Sequence, residues 1–126
     1  MYSLEEKSEL LARKACYVLK NALPEGRMND AEYEAILNVS EDIFLARLKE
    51  FEKQDKSALL EEALMISIGE KAEKLSQTVW DVLLLPYRKK FADLKEKIIM
   101  KLKMELFNTL YYEIEKLPED EPGIAY

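Results

Sequence analysis

Residues 33–51, YEAILNVSEDIFLARLKEF, can be read as one helix or as two. Leu37-Asn38-Val39-Ser40-Glu41 has the look of a helix-turn-helix turn, where a serine often opens the recognition helix. The phase of the apolar residues decides between the readings. Tyr33, Leu37, Ser40, Phe44, Leu48 and Phe51 fall on a single stripe with no slip across Asn38–Ser40, whereas a true turn resets that phase. A recognition helix opening with Glu41 and Asp42 would also repel phosphates. The stretch therefore predicts one helix, near 29–53, and a fold built from a few long helices.

Working outward, Asn29 and Glu32 form a capping box at the start of this helix, and Pro24-Glu25-Gly26-Arg27 is the clearest turn in the chain. Ahead of that turn, Ser3 and Glu6 form a second capping box that opens a helix over 3–22. Leu4, Leu11, Ala15, Val18 and Ala22 share one face of it, with Cys16 on the flank as a small buried hydrophobe. Downstream, Gln54-Asp55-Lys56 is a polar link, and Asp55 or Ser57 caps a third helix over 57–85. Its stripe is Leu64, Ile68, Ala72, Leu75, Val79 and Val82, widened by Met65 and Leu83, with Trp80 half-buried at the side. Gly69 lies off the stripe, at a cost of about 1 kcal/mol against alanine or to admit a close neighbour.

Pro86 must interrupt whatever precedes it. A tight reversal is favoured over a kink, because it lets the stripes on either side bury in one domain. A fourth helix is expected over 87–117, on the order of 45 Å long. The predicted fold is an all-α, up-down-up-down four-helix bundle-like domain over residues 1–117, with a long C-terminal helix and an acidic, disordered tail at 118–126. Its core should include Leu11, Val18, Leu37, Phe44, Leu48, Ile68, Leu75, Val79, Phe91, Leu94, Ile98 and Leu102.

Composition agrees with this plan. With 3 Gly and 4 Pro in 126 residues there is too little turn punctuation for a many-stranded sheet. One cysteine permits no internal disulfide, the N-terminal MYSLEEKSELL carries acids where a secretory signal carries bases, and no apolar run approaches a membrane span. A cytoplasmic protein without a membrane partner is expected. The net charge of −6 disfavours non-specific binding to nucleic acid by the molecule as a whole.

The fourth helix changes character along its length. Tyr87, Phe91, Leu94 and Ile98 make a narrow stripe, and Ile98, Leu102, Leu106 and Leu110 continue it. On another face, Met100, Met104, Phe107 and Tyr111 recur at spacings of 4, 3 and 4, so that apolar side chains span roughly 240° of the helix. One neighbouring layer cannot cover that much. Either the helix runs through the centre of the bundle, or the Met100/Met104/Phe107/Tyr111 stripe meets a partner or a second copy, with a dimer favoured.

There is no histidine, no G-x-x-x-x-G-K-[ST] and no G-x-G-x-x-G, so no catalytic residue, cofactor site or metal site is assigned. Glu5-Glu6-Lys7-Ser8-Glu9 resembles the EExxE half of the signature of all-α nucleoside triphosphate pyrophosphohydrolases, which implies Mg²⁺ held by carboxylates. Its ExxD partner occurs only as Glu52-Lys53-Gln54-Asp55, more than forty residues later and at a helix end, and helix capping accounts for the acids. Arg88, Lys89, Lys90, Lys95 and Lys97 form a basic cluster able to contact nucleic acid or an acidic protein. The sequence thus predicts a non-enzymatic protein–protein interaction module, such as a small regulatory subunit, adaptor or inhibitor, that self-associates through its last helix. A nucleic-acid-associated protein is the alternative and a Mg²⁺-dependent carboxylate hydrolase the distant one.

Overall fold

The computed structural model describes residues 2–23, 28–54 and 61–115. Among them are four α-helices: α1 (Leu4–Ala22), α2 (Asp30–Gln54), α3 (Glu61–Thr78) and α4 (Lys95–Asn108). Both capping boxes form. Ser3 Oγ accepts from Glu6 N at 3.1 Å while Glu6 Oε1 accepts from Ser3 N at 2.9 Å. Asn29 and Glu32 make the same exchange at 2.8 and 2.9 Å. The helix α2 runs unbroken through Asn38–Ser40, as its phase requires. Ser40 is fully buried on the core stripe, and its hydroxyl donates to the Ile36 carbonyl, so the polar group is satisfied inside the helix.

Contacts between elements fix an up-down-up-down order. Cys16 donates across to the Tyr33 carbonyl between α1 and α2. Lys71 of α3 lies 5.9 Å from the Phe51 ring of α2. Lys103 pairs with Glu73 at 3.6 Å between α4 and α3, and Lys95 sits over Trp80 further along the same pair, which makes α3 and α4 antiparallel. Lys14 of α1 reaches Glu105 of α4 at 4.0 Å, closing the ring. One apolar core fills the middle, with Leu11, Leu19, Phe44, Ile68, Leu75, Ile98, Leu102 and Leu106 at 0% exposure. No helix among the described residues is long and apolar enough to cross a membrane.

Three sets of expectations need correction, most of them where the backbone leaves 3.6 residues per turn; Met65 and Leu37 are the exceptions, inside regular helix. First, α3 does not continue regularly to 85: Val79–Leu83 is a π-turn in which Leu84 N bonds to Val79 O at 2.8 Å. The extra residue rotates Val82 out to 46% exposure and brings Leu84 into the core beside Leu83, which is buried as expected. Trp80 is buried rather than half-buried, while Met65, at the other end of α3, is exposed rather than part of the core stripe. Second, the helix expected from Tyr87 starts at Lys95. Residues 85–94 form two short 3₁₀ turns, Leu85–Tyr87 and Ala92–Leu94, joined by turn residues, so Pro86 belongs to a reversal and not to a kink. Third, Leu37 and Leu94 pack against the core but are only partly buried. The Pro24–Arg27 turn, the cap at Asp55 or Ser57 and the tail at 118–126 lie outside the described residues.

A side-chain bond ties the reversal to α2, with Tyr87 Oη donating to Glu32 Oε2 at 3.0 Å. The Asn29 N–H, then this hydroxyl, hold Glu32 below the usual carboxylate range. Burial, then the Glu32 bond, push Tyr87 above its ordinary value of 10.0. A lowered carboxylate contributes stability that is present above its unfolded pKa and lost as pH falls through the folded one. Tyr87→Phe should therefore lower Tm modestly at neutral pH, with the deficit shrinking below pH ~4 as Glu32 protonates in both proteins. Thermal melts across an acid series check this; a deficit that does not change with pH would show that the carboxylate is not the partner that matters.

Candidate interaction surface

The helix α4 sorts its residues by direction. Ile98, Leu102 and Leu106 point inward and are fully buried. Ile99 and Phe107 turn toward α3 and are partly buried, whereas Lys101 and Glu105 lie on the side of α1. Met100 and Met104, one turn apart, face outward at 63% and 60% exposure. The wide apolar sector is thus covered on two sides by α1 and α3, and the two methionines are what remains outside.

Of the four residues expected to form one outer stripe, the structure keeps Met100 and Met104 there, half-buries Phe107, and buries Tyr111 at 7% exposure. For Tyr111 the cause lies in the backbone. From Thr109 to Glu115 the helix widens into a π-turn, which advances each residue by less than the 100° of an α-helix. Tyr111 is rotated away from the methionines and stacks on Phe107, with centroids 6.0 Å apart. Tyr112, packed edge-on against Tyr111, takes the outward position at 64% exposure.

Two clefts flank Met104. The larger, of about 640 Å³, lies between α3 and α4 and follows α4 from Lys95 to Asn108, with Ile99, Met100 and Phe107 along its apolar side and Glu73 on the α3 wall. Gly69 faces Phe107 there; a Cβ at this glycine would meet Phe107 Cε2 at 4.0 Å, which is ordinary contact, so packing does not demand the glycine. The smaller cleft, of about 380 Å³, sits between α1 and α4, where Tyr17 and Val18 adjoin Met104. Tyr17 is 64% exposed and lies more than 90° round the helix from the α1 core stripe, so the sequence pattern alone gives it no role.

The basic cluster does not form one stripe. Arg88 pairs with Asp81 at 3.8 Å, Lys90 lies over the Phe91 ring at 5.8 Å, and Lys95 over the Trp80 ring at 5.9 Å. Lys89 is exposed at the corner and Lys97 is exposed on α4. Nor do the acids of α1 gather: Glu6 is engaged by Ser3, and among the described residues no three His, Cys, Asp or Glu side chains form a group that could hold a metal ion. Burial pushes the Cys16 thiol up to about 11, against a smaller opposing pull from Lys20, so it stays protonated at neutral pH. No protein family, curated protein or solved structure compared with the chain matches it.

Proposed function

We propose that this protein is a non-enzymatic interaction module that holds a protein partner against the outer face of α4. The exposure of Met100 and Met104, on a helix whose other apolar residues are covered, is the observation that carries the reading. Methionine is enriched at interfaces because its unbranched, polarisable side chain fits partners of varied shape. The clefts on either side of Met104 add depth, and Tyr17 and Phe107 extend the apolar surface across them. Such a surface suits a regulatory subunit, adaptor or inhibitor.

The test is a pull-down from the native host with the wild-type chain and with Met100→Glu/Met104→Glu, followed by mass spectrometry. Both positions point outward, so the double variant should keep the wild-type circular dichroism spectrum. Proteins captured by the wild type should be missing from the variant. Identical captured sets from the two folded proteins would defeat the reading.

A further inference from the structure

The charge of the α4 outer face narrows what can cover it, and the inference made from it rests on reading that face as a partner surface. Lys97 and Lys101 flank the two methionines on one side; both are exposed and in no ion pair with a described residue. Lys95 and Lys103 flank them on the side of α3 and line the larger cleft. Against these four lysines stand Glu96, Glu73 and Glu105; Glu73 is held by Lys103 at 3.6 Å, and Glu105, beside Lys101 on the α1 side, lies 4.0 Å from Lys14. In a chain of net charge −6 this is an island of positive charge around an apolar ridge.

A second copy docking through the same face meets like charge in either orientation. With the two helices antiparallel about the methionine pair, Lys101 and Lys103 each approach their own counterparts; with them parallel, Lys101 approaches Lys103. Like charges set face to face in this way count against association. The cleft itself is long and concave: α4 from Lys95 to Asn108 spans about 20 Å at 1.5 Å per residue, room for three to four turns of a partner helix.

We propose that the partner is an amphipathic helix whose apolar i, i+4 stripe packs on Met100 and Met104 and whose two flanks carry Asp and Glu. The apolar stripe lies along the α3–α4 cleft in the helix-in-groove manner, and the acidic flanks meet Lys97 and Lys101 on one side and Lys95 and Lys103 on the other. An anionic membrane also attracts lysines, but a concave cleft suits a helix better than a flat lipid surface.

The probe is a labelled amphipathic peptide of about five turns, leucine at i, i+4 and i+7 and glutamate on both flanks, titrated against the full chain. A second peptide carries lysine in place of glutamate. The glutamate peptide should bind at least about tenfold more tightly than its lysine counterpart at low salt, with the preference narrowing as salt rises. Met100→Glu/Met104→Glu should abolish binding, and Lys97→Glu/Lys101→Glu should reverse the preference, both with unchanged circular dichroism. Equal, methionine-dependent binding of the two peptides would overturn the acidic partner while leaving the partner surface standing; a pull-down indifferent to the methionine pair defeats the surface itself. The proposal is also overturned if neither peptide binds. It falls too if phosphatidylserine vesicles bind in a Lys97- and Lys101-dependent way, or if sedimentation shows a dimer that Met104→Glu dissolves.

Discussion

Leu102→Ala should cost about 3 kcal/mol of folding stability, while Met104→Ala, two residues further along the same helix, should cost less than about 0.5 kcal/mol. Leu102 is fully buried between Ile98 and Leu106 in the middle of the core, so truncation removes its transfer free energy and leaves a cavity that the surrounding helices fill only in part. Alanine is the better helix former, but by a few tenths of a kcal/mol at most, too little to offset the cavity. Met104 is 60% exposed and loses little contact on truncation. Denaturant unfolding of the two variants, with m unchanged, measures the contrast. A large loss at Met104 that depended on protein concentration would mean the ridge is buried between copies in solution, because association makes apparent stability concentration-dependent.

That contrast also shows how far the sequence could be read. Over most of the regular helix the apolar phase placed side chains well: Phe44, Leu48, Ile68, Leu75, Ile98 and Leu102 are buried as expected, and both capping boxes form. Apart from Met65 and Leu37, which lie in regular helix, and the 3₁₀ corner at 85–94, the misplacements follow from two π-turns. At Val79–Leu83 one extra residue exchanges Val82 for Leu84, and at Thr109–Glu115 it exchanges Tyr111 for Tyr112 on the outer face. No residue type marks a π-turn in advance as glycine or proline marks a turn, so a fixed 100° step carries the error to everything beyond it. The outer surface was legible for Met100 and Met104, which precede the second π-turn. It was not legible for Tyr17, whose exposure matters only because α1 lies beside α4, a tertiary fact that no local pattern contains.

Phe91→Ala should cost about 3–5 kcal/mol, while Pro86→Ala should cost less than about 1 kcal/mol. Pro86 is the visible helix breaker, yet it is exposed and occupies the opening of a 3₁₀ turn, where its missing N–H leaves no bond unmade. Alanine there gives up only the restriction that proline places on the unfolded chain. Phe91 is fully buried although it sits in a turn and not in a helix. Its ring stacks on Tyr87 at 5.9 Å, its N–H donates to the Tyr87 carbonyl at 3.0 Å, and its carbonyl accepts from Leu94 N at 2.9 Å. Phe91 is the fully buried anchor of the corner between Leu84 and the start of α4, with Tyr87 and Leu94 packed partly buried beside it. Truncation therefore empties a large core site and also frees the turn residues that the ring holds in place. Equilibrium unfolding gives the two costs, and hydrogen exchange locates the second effect, with Phe91→Ala expected to lose amide protection from Tyr87 to Leu94 before the rest of the bundle. Were Pro86→Ala the more damaging of the pair, the reversal would owe its direction to backbone stiffness at the proline and not to burial of the aromatic five residues later.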